Sequence, residues 1–191
     1  MPFASIKVPE AANLPVRDQK AAARVALVTG GNKGIGRVIV AGLARQGFTV
    51  YLGARDPGRG MAAATELNGT GYVRFVQPDV TSQANVDAAA EQVAKDFGHL
   101  DALVNNAGVN TLTRRHLDHL PKPTEETADD LRFVYEVNVF AVVRVTNAFL
   151  PLLQRAPAGR IVNVTSKRGS TAGAWERWRP ATCAPRGWLL P

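Results

Sequence analysis

A doubly wound α/β domain, a parallel sheet with helices on both faces, is predicted by three observations on this chain of 191 residues. Short, continuous apolar runs such as "RVALVTGG" and "LDALVNNAG" alternate with segments of helix length. Apolar runs that do not alternate belong to strands buried on both faces, the condition of a parallel sheet. A glycine-rich turn, "TGGNKGIG", joins the first such run to the first helical segment. Right-handed crossovers between these units build a three-layer αβα sandwich with a ligand crevice at the carboxyl ends of the strands.

The elements follow in order. "RVALVTGG" is the first strand and "GIGRVIVAGLARQG" the first helix, with Ile35, Ile39 and Leu43 as its apolar stripe and Gly47 as its stop. "FTVYLGAR" is the second strand, followed by the helix "GMAAATELNG" and the third strand "YVRFVQPDV". "SQANVDAAAEQVAKDFG" is a helix with Ser82 as N-cap and Val86, Ala90, Val93 and Phe97 on one face. "LDALVNNAG" is the fourth strand. The stretch "VNTLTRRHLDHLPKP" is a loop rich in charge and proline, leading to a long helix from Thr127 to Leu153. "GRIVNVT" is the fifth strand.

Composition divides the chain into a loose leader (1–23), a nucleotide-binding domain (24–166) and an atypical tail (167–191). The length suits one domain. No apolar run approaches the roughly 20 residues of a membrane span, and the leader lacks the apolar core of a secretory signal. The single cysteine, Cys183, rules out an internal disulfide and suits a reducing cytosol. The net charge of +7 would suit nucleic acid, but +4 of it falls after Ser166 (Lys167, Arg168, Arg177, Arg179 and Arg186 against Glu176). The domain proper is nearly balanced, so no nucleic-acid partner and no membrane partner are expected. All three tryptophans, Trp175, Trp178 and Trp188, also lie in the tail. Composition thus breaks sharply after about residue 166, and the text from about Ala174 reads as translation in a wrong frame. His116 and His119 have no third ligand nearby, so no metal is expected.

The glycine turn carries the first chemistry. Gly30 and Gly34 allow a tight turn and close approach of backbone to a pyrophosphate. Gly36 lets the helix lie on the strand, and the helix N-terminus offers N–H donors. Asn32, Lys33 and Ile35 complete this set of candidate contacts. The end of the second strand should meet the adenosine ribose, where an acid favours NAD. Here Ala54 and Arg55 stand there, and the first acid, Asp56, comes late. Arg55, with Arg59 and Lys33, would pair a 2′-phosphate, which favours NADP(H) and leaves NAD(H) as the alternative; otherwise Arg55 is a solvated loop residue. Asp79 either accepts from the adenine amino group, with Val80 against the ring, or caps a turn. Asn105 and Asn106 can tie neighbouring strands together, while Ala107 and Gly108 keep the backbone close to a cofactor.

Taken together, "TGGNKGIG", "PDV", "NNAG", "VNV" around Asn138 and "RIVNVTS" resemble the motifs of the short-chain dehydrogenase/reductase family, over about residues 24 to 166. "VALVTGGNKGIG" with "ARDPGRG" looks most like its NADPH-dependent carbonyl reductases. The resemblance implies a Rossmann-type fold and hydride transfer between nicotinamide and a small-molecule carbonyl or alcohol. It also implies that Ser166 orients the carbonyl and that Asn138 helps hold a proton-relay water; apart from the family, these would be a strand-end turn residue and a satisfied buried amide. The family's proton donor is a tyrosine followed four residues later by a lysine. That pair does not carry over: Tyr51, Tyr72 and Tyr135 all precede Ser166, and the only later lysine is Lys167. The family's sixth and seventh strands likewise have no counterpart, leaving "RIVNVT" as an edge. Two functions follow, an NADP(H)-dependent oxidoreductase or a nucleotide-binding chain without turnover.

Overall fold

A computed structural model describes residues 23–115 and 122–166. The leader through residue 22, His116, His119 and the tail 167–191 lie outside the described residues. The strands are β1 (Arg24–Thr29), β2 (Phe48–Gly53), β3 (Val73–Val76), β4 (Ala102–Asn105) and β5 (Arg160–Asn163). The helices are α1 (Gly34–Arg45), α2 (Pro57–Leu67), α3 (Gln83–Asp96), α4 (Thr111–Arg115) and α5 (Ala128–Leu153).

All strand pairs are parallel, in the order β3-β2-β1-β4-β5. This is the predicted Rossmann-type doubly wound sheet. The order reverses between β1 and β4, so the crevice opens where Thr29 and Asn105 end their strands. Side chains alternate across the sheet. Leu27, Tyr51 and Leu103 face one core with Val86 and Val93 of α3 and Val145 and Phe149 of α5. Val28, Leu52 and Val104 face the other with Val40 of α1 and Ala63 and Leu67 of α2. Tyr51 is buried, and its hydroxyl donates to Asp96 at 2.6 Å, which also accepts from Arg74 and Gln92 at 3.0 Å.

Three local expectations need correction. The stripe Ile35–Ile39–Leu43 is not the buried line of α1. Ile35 is 66% exposed, whereas Gly36, Val40, Ala41 and Ala44 are buried and Ile39 and Leu43 pack at the margin. Small residues bring the helix axis close to the sheet, so the glycine turn, not the bulkiest side chains, sets its rotation. Next, α2 begins at Pro57, earlier than Gly60, because Asp56 accepts from the Arg59 N–H at 2.8 Å and proline suits the first turn. The loop after β4 contains α4.

The long helix α5 lies where the sequence places it; it is 26 residues long and apolar enough by composition to cross a membrane, although charged residues interrupt it. It is seated on the sheet through Val145, Phe149, Leu152 and Leu153. Its N-terminus is a capping box in which Thr127 and Asp130 bond reciprocally. Its middle, Glu136–Phe140, widens into a π-turn. Asp130 is buried and also accepts from Arg115, and from Arg114 at 3.2 Å, which anchors α4 to the start of α5.

Candidate functional site

At the switch point the site is built around one hydroxyl. Thr29, at the end of β1, is buried, and its Oγ1 accepts from the Asn106 and Ala107 N–H groups, both at 3.0 Å. The Asn106 amide then donates back to the Thr29 carbonyl at 2.9 Å and the Gly30 carbonyl at 3.2 Å. The glycine turn and the end of β4 are thus clasped together. Asn105 is buried beside them and donates to Asn163 of β5 at 2.9 Å and to Thr146 of α5 at 3.2 Å. The predicted strand ties are therefore present. Thr29 and Thr146 carry no sequence signal, because a lone polar residue in an apolar strand or helix shows its role only once a distant partner is known.

The glycine turn has the shape of a cradle. Gly30 (φ 65°) and Gly34 (φ 54°) are left-handed. A Cβ at Gly30 would press on the Ala107 backbone at 3.0 Å, and one at Gly36 would collide with the Gly30 carbonyl and the Asn106 amide. A Cβ at Gly34 would meet nothing within 4 Å, so that side of the turn is open. Asn32 is half-buried; Lys33 and Ile35 are exposed, with Lys33 at the N-cap of α1. No side chain caps α1, and its first turn holds no acid, leaving its N–H groups for an anion. A pyrophosphate fits this donor set and this backbone approach.

The remaining positions surround the cradle. The Gly31 N–H donates to the Gly53 carbonyl at 2.9 Å, which brings the end of β2 alongside the turn. Arg55 follows, exposed and without an ion pair among the described residues. Asp56 is occupied as the α2 cap. The Asp79 carboxylate accepts from the Thr81 N–H at 3.0 Å and from its hydroxyl at 2.7 Å, so it does order a turn. Val80 is half-buried at the edge of the first core and lies with Val137, Ala141 and Val145 of α5 around a small hollow. Asn138 lies in the π-turn but is not a buried amide. It is exposed, and it both accepts from the Val109 N–H and donates to the Val109 carbonyl at 2.8 Å, beside Gly108.

Ser166 is exposed and lies just past β5, whose following Val164 N–H bonds the Asn105 carbonyl at 2.9 Å. The chain's tyrosines are elsewhere: Tyr51 is buried against Asp96, Tyr72 precedes β3, and Tyr135 tilts against Phe140. Among the described residues, no group of three or more His, Cys, Asp or Glu could hold a metal ion. The geometry therefore brings together the glycine turn, the ends of β2 and β4, and the Val109–Asn138 pair.

Residues 24–177 match the family described as short chain dehydrogenase, past the Ser166 limit of the motifs. "Short-chain dehydrogenase/reductase 1" of Saponaria officinalis is 39% identical over 165 residues, covering 76% of this chain and 54% of that protein. "Carbonyl reductase [NADPH] 1" of Sus scrofa is 40% identical over 151 residues, covering 78% of this chain and 49% of that protein. Among solved structures, the "Pseudomonas aeruginosa RhlG/NADP active-site complex" superimposes with a TM-score of 0.68 at 31% identity, covering 77% of this chain and 56% of that one. The chain thus spans about half the length of these relatives.

Proposed function

The chain belongs to the short-chain dehydrogenase/reductase family, and on that premise we propose that it holds the NADP(H)-binding half of a carbonyl-reducing site. The observation that carries this reading is the clasp of Thr29, Asn106 and the glycine turn, which presents the open face of Gly34 and the α1 N-terminus at the switch point. The Gly34–Gly36 backbone would bind the pyrophosphate. Lys33 and Arg55, both exposed, would pair the 2′-phosphate; the acid that would favour NAD(H) is engaged as a cap. Relatives named for NADPH or solved with NADP support the same preference.

When bound, the cofactor supplies the hydride. Ser166 would hold the oxygen of a small-molecule carbonyl or alcohol by hydrogen bonding. Asn138 keeps the Val109 backbone fixed beside it. Protonation of the carbonyl oxygen requires an acid, and these 191 residues contain no tyrosine beyond Ser166. The alternative reading is nucleotide binding without turnover. We assign it a cytosolic location, with neither nucleic acid nor membrane as a partner.

The test is a fluorescence titration with NADPH alongside carbonyl-dependent NADPH oxidation. Saturable binding with Arg55→Ala weakened about tenfold for NADPH but not for NADH supports the proposal, the loss of one phosphate pair being worth roughly 1.4 kcal/mol. Equal affinities for both cofactors in both proteins would defeat the NADP(H) assignment. Robust turnover would defeat the second reading.

A further inference from the structure

We infer that Arg144 is a positioning residue of the nucleotide site, its guanidinium coupling the Val80 loop to the π-turn that carries Asn138. The inference rests on the reading of the crevice as a nucleotide site. Arg144 projects from α5 and donates through one terminal nitrogen to the Val80 carbonyl at 2.7 Å. Through the other it donates to Glu136 Oε1 at 2.9 Å. Its side chain is 20% exposed and that of Glu136 39%, so the guanidinium is largely covered while its carboxylate partner faces water on one side.

Each partner belongs to a different end of the crevice. Val80 follows Asp79 in the turn after β3, where the adenine would lie. Glu136 opens the π-turn, two residues before Asn138, whose amide clasps the Val109 backbone. Val80 also lines a small hollow with Thr29, Asn105, Ala107, Val137, Ala141 and Val145. The position of Val80 therefore sets one wall at the switch point. The Asp79–Thr81 contacts order that turn internally but do not attach it to α5. Beyond the apolar packing of Val80 on α5, Arg144 adds a hydrogen bond from α5 to the turn's backbone, and its planar fork, with donors pointing in two directions, serves both partners at once.

Both terminal nitrogens of Arg144 are taken by protein acceptors, so its effect should appear as affinity lost unequally by ligand fragments. Calorimetric titrations with 2′,5′-ADP, which fills only the adenine end, and with NADPH would read it. Arg144→Met keeps the apolar stem and removes both bonds. It should bind 2′,5′-ADP about tenfold more weakly and NADPH about thirtyfold more weakly, on the scale of one charge-assisted hydrogen bond per tenfold. Glu136→Ala leaves the Val80 bond intact. It should bind 2′,5′-ADP as the unaltered chain does and NADPH about threefold more weakly, a fraction of one such bond. Circular dichroism establishes that each variant is folded. Should Arg144→Met not fold, Arg144→Lys, which reaches one partner, should lie between the two for 2′,5′-ADP.

A folded Arg144→Met, or in its place Arg144→Lys, with unaltered affinity for both ligands would overturn the inference alone. Equal losses for both ligands in both Arg144→Met and Glu136→Ala would overturn the coupling. If the unaltered chain bound neither ligand, the nucleotide reading itself would fail and the inference with it.

Discussion

Thr29 and Gly36 divide the site into what can be seen from a sequence and what cannot. Gly36 is recognisable because only a missing side chain solves its local problem, and the turn pattern around it is short-range. Asn105 and Asn106 are recognisable for a similar reason, as amides ending an apolar strand. Thr29 sits in an equally apolar strand, yet its partners are the N–H groups of Asn106 and Ala107, more than seventy residues away. Arg144 is hidden in the same way, reaching Val80 across a sequence gap of 64. Thr29→Val preserves shape and leaves two N–H groups without their acceptor. It should cost about 2 kcal/mol in denaturant unfolding, the penalty for buried unsatisfied donors, and weaken NADPH binding. Unchanged stability would show that the Thr29 hydroxyl does not hold the clasp.

Among the elements, strand existence and order were readable because buried parallel strands give unbroken apolar runs. Helix rotation was not. The α1 stripe of bulky residues lost to the line through Gly36, Val40 and Ala44, since close packing on the sheet favours small residues. The π-turn in α5 and the short α4 depend on tertiary bonds, Asn138 to Val109 and Arg115 to Asp130, that no local pattern announces. The Arg115 guanidinium, aided by Thr127, holds the Asp130 carboxyl well below the usual carboxylate range. A depressed folded-state value means that its contribution is present above about pH 4 and is lost as pH falls through the folded value. Asp96 acts in the same direction: burial pushes it up, but bonds from Tyr51, Gln92 and Arg74 outweigh that. Tyr51 is raised, chiefly by burial and then by Asp96, so its contribution is lost as pH rises beyond about 10. Asp130→Asn should therefore be less stable than the unaltered chain at pH 7, with the gap closing toward pH 2. A gap independent of pH would mean that the ion pair is not its source.

At the scale of the molecule, the sheet order β3-β2-β1-β4-β5 puts the candidate cofactor positions at one rim and leaves β5 with one neighbour among the described residues. Ile161, Val162 and Val164 are 43%, 49% and 39% exposed, and Phe140 and Val143 of α5 are 52% and 56% exposed. An apolar edge of this kind is a template for pairing. The 191-residue polypeptide should therefore associate as its concentration rises in light scattering, whereas a monodisperse, cooperatively melting monomer would contradict this. The central claim is that the cofactor half of a reductase site is intact in these residues. Hydrogen exchange with and without NADPH tests it most directly. Slowed exchange is expected, confined to the Gly30–Arg37 turn, the ends of β2 and β4, and the Val80 loop. Unchanged exchange at the glycine turn, or protection only at positions remote from it, would contradict it.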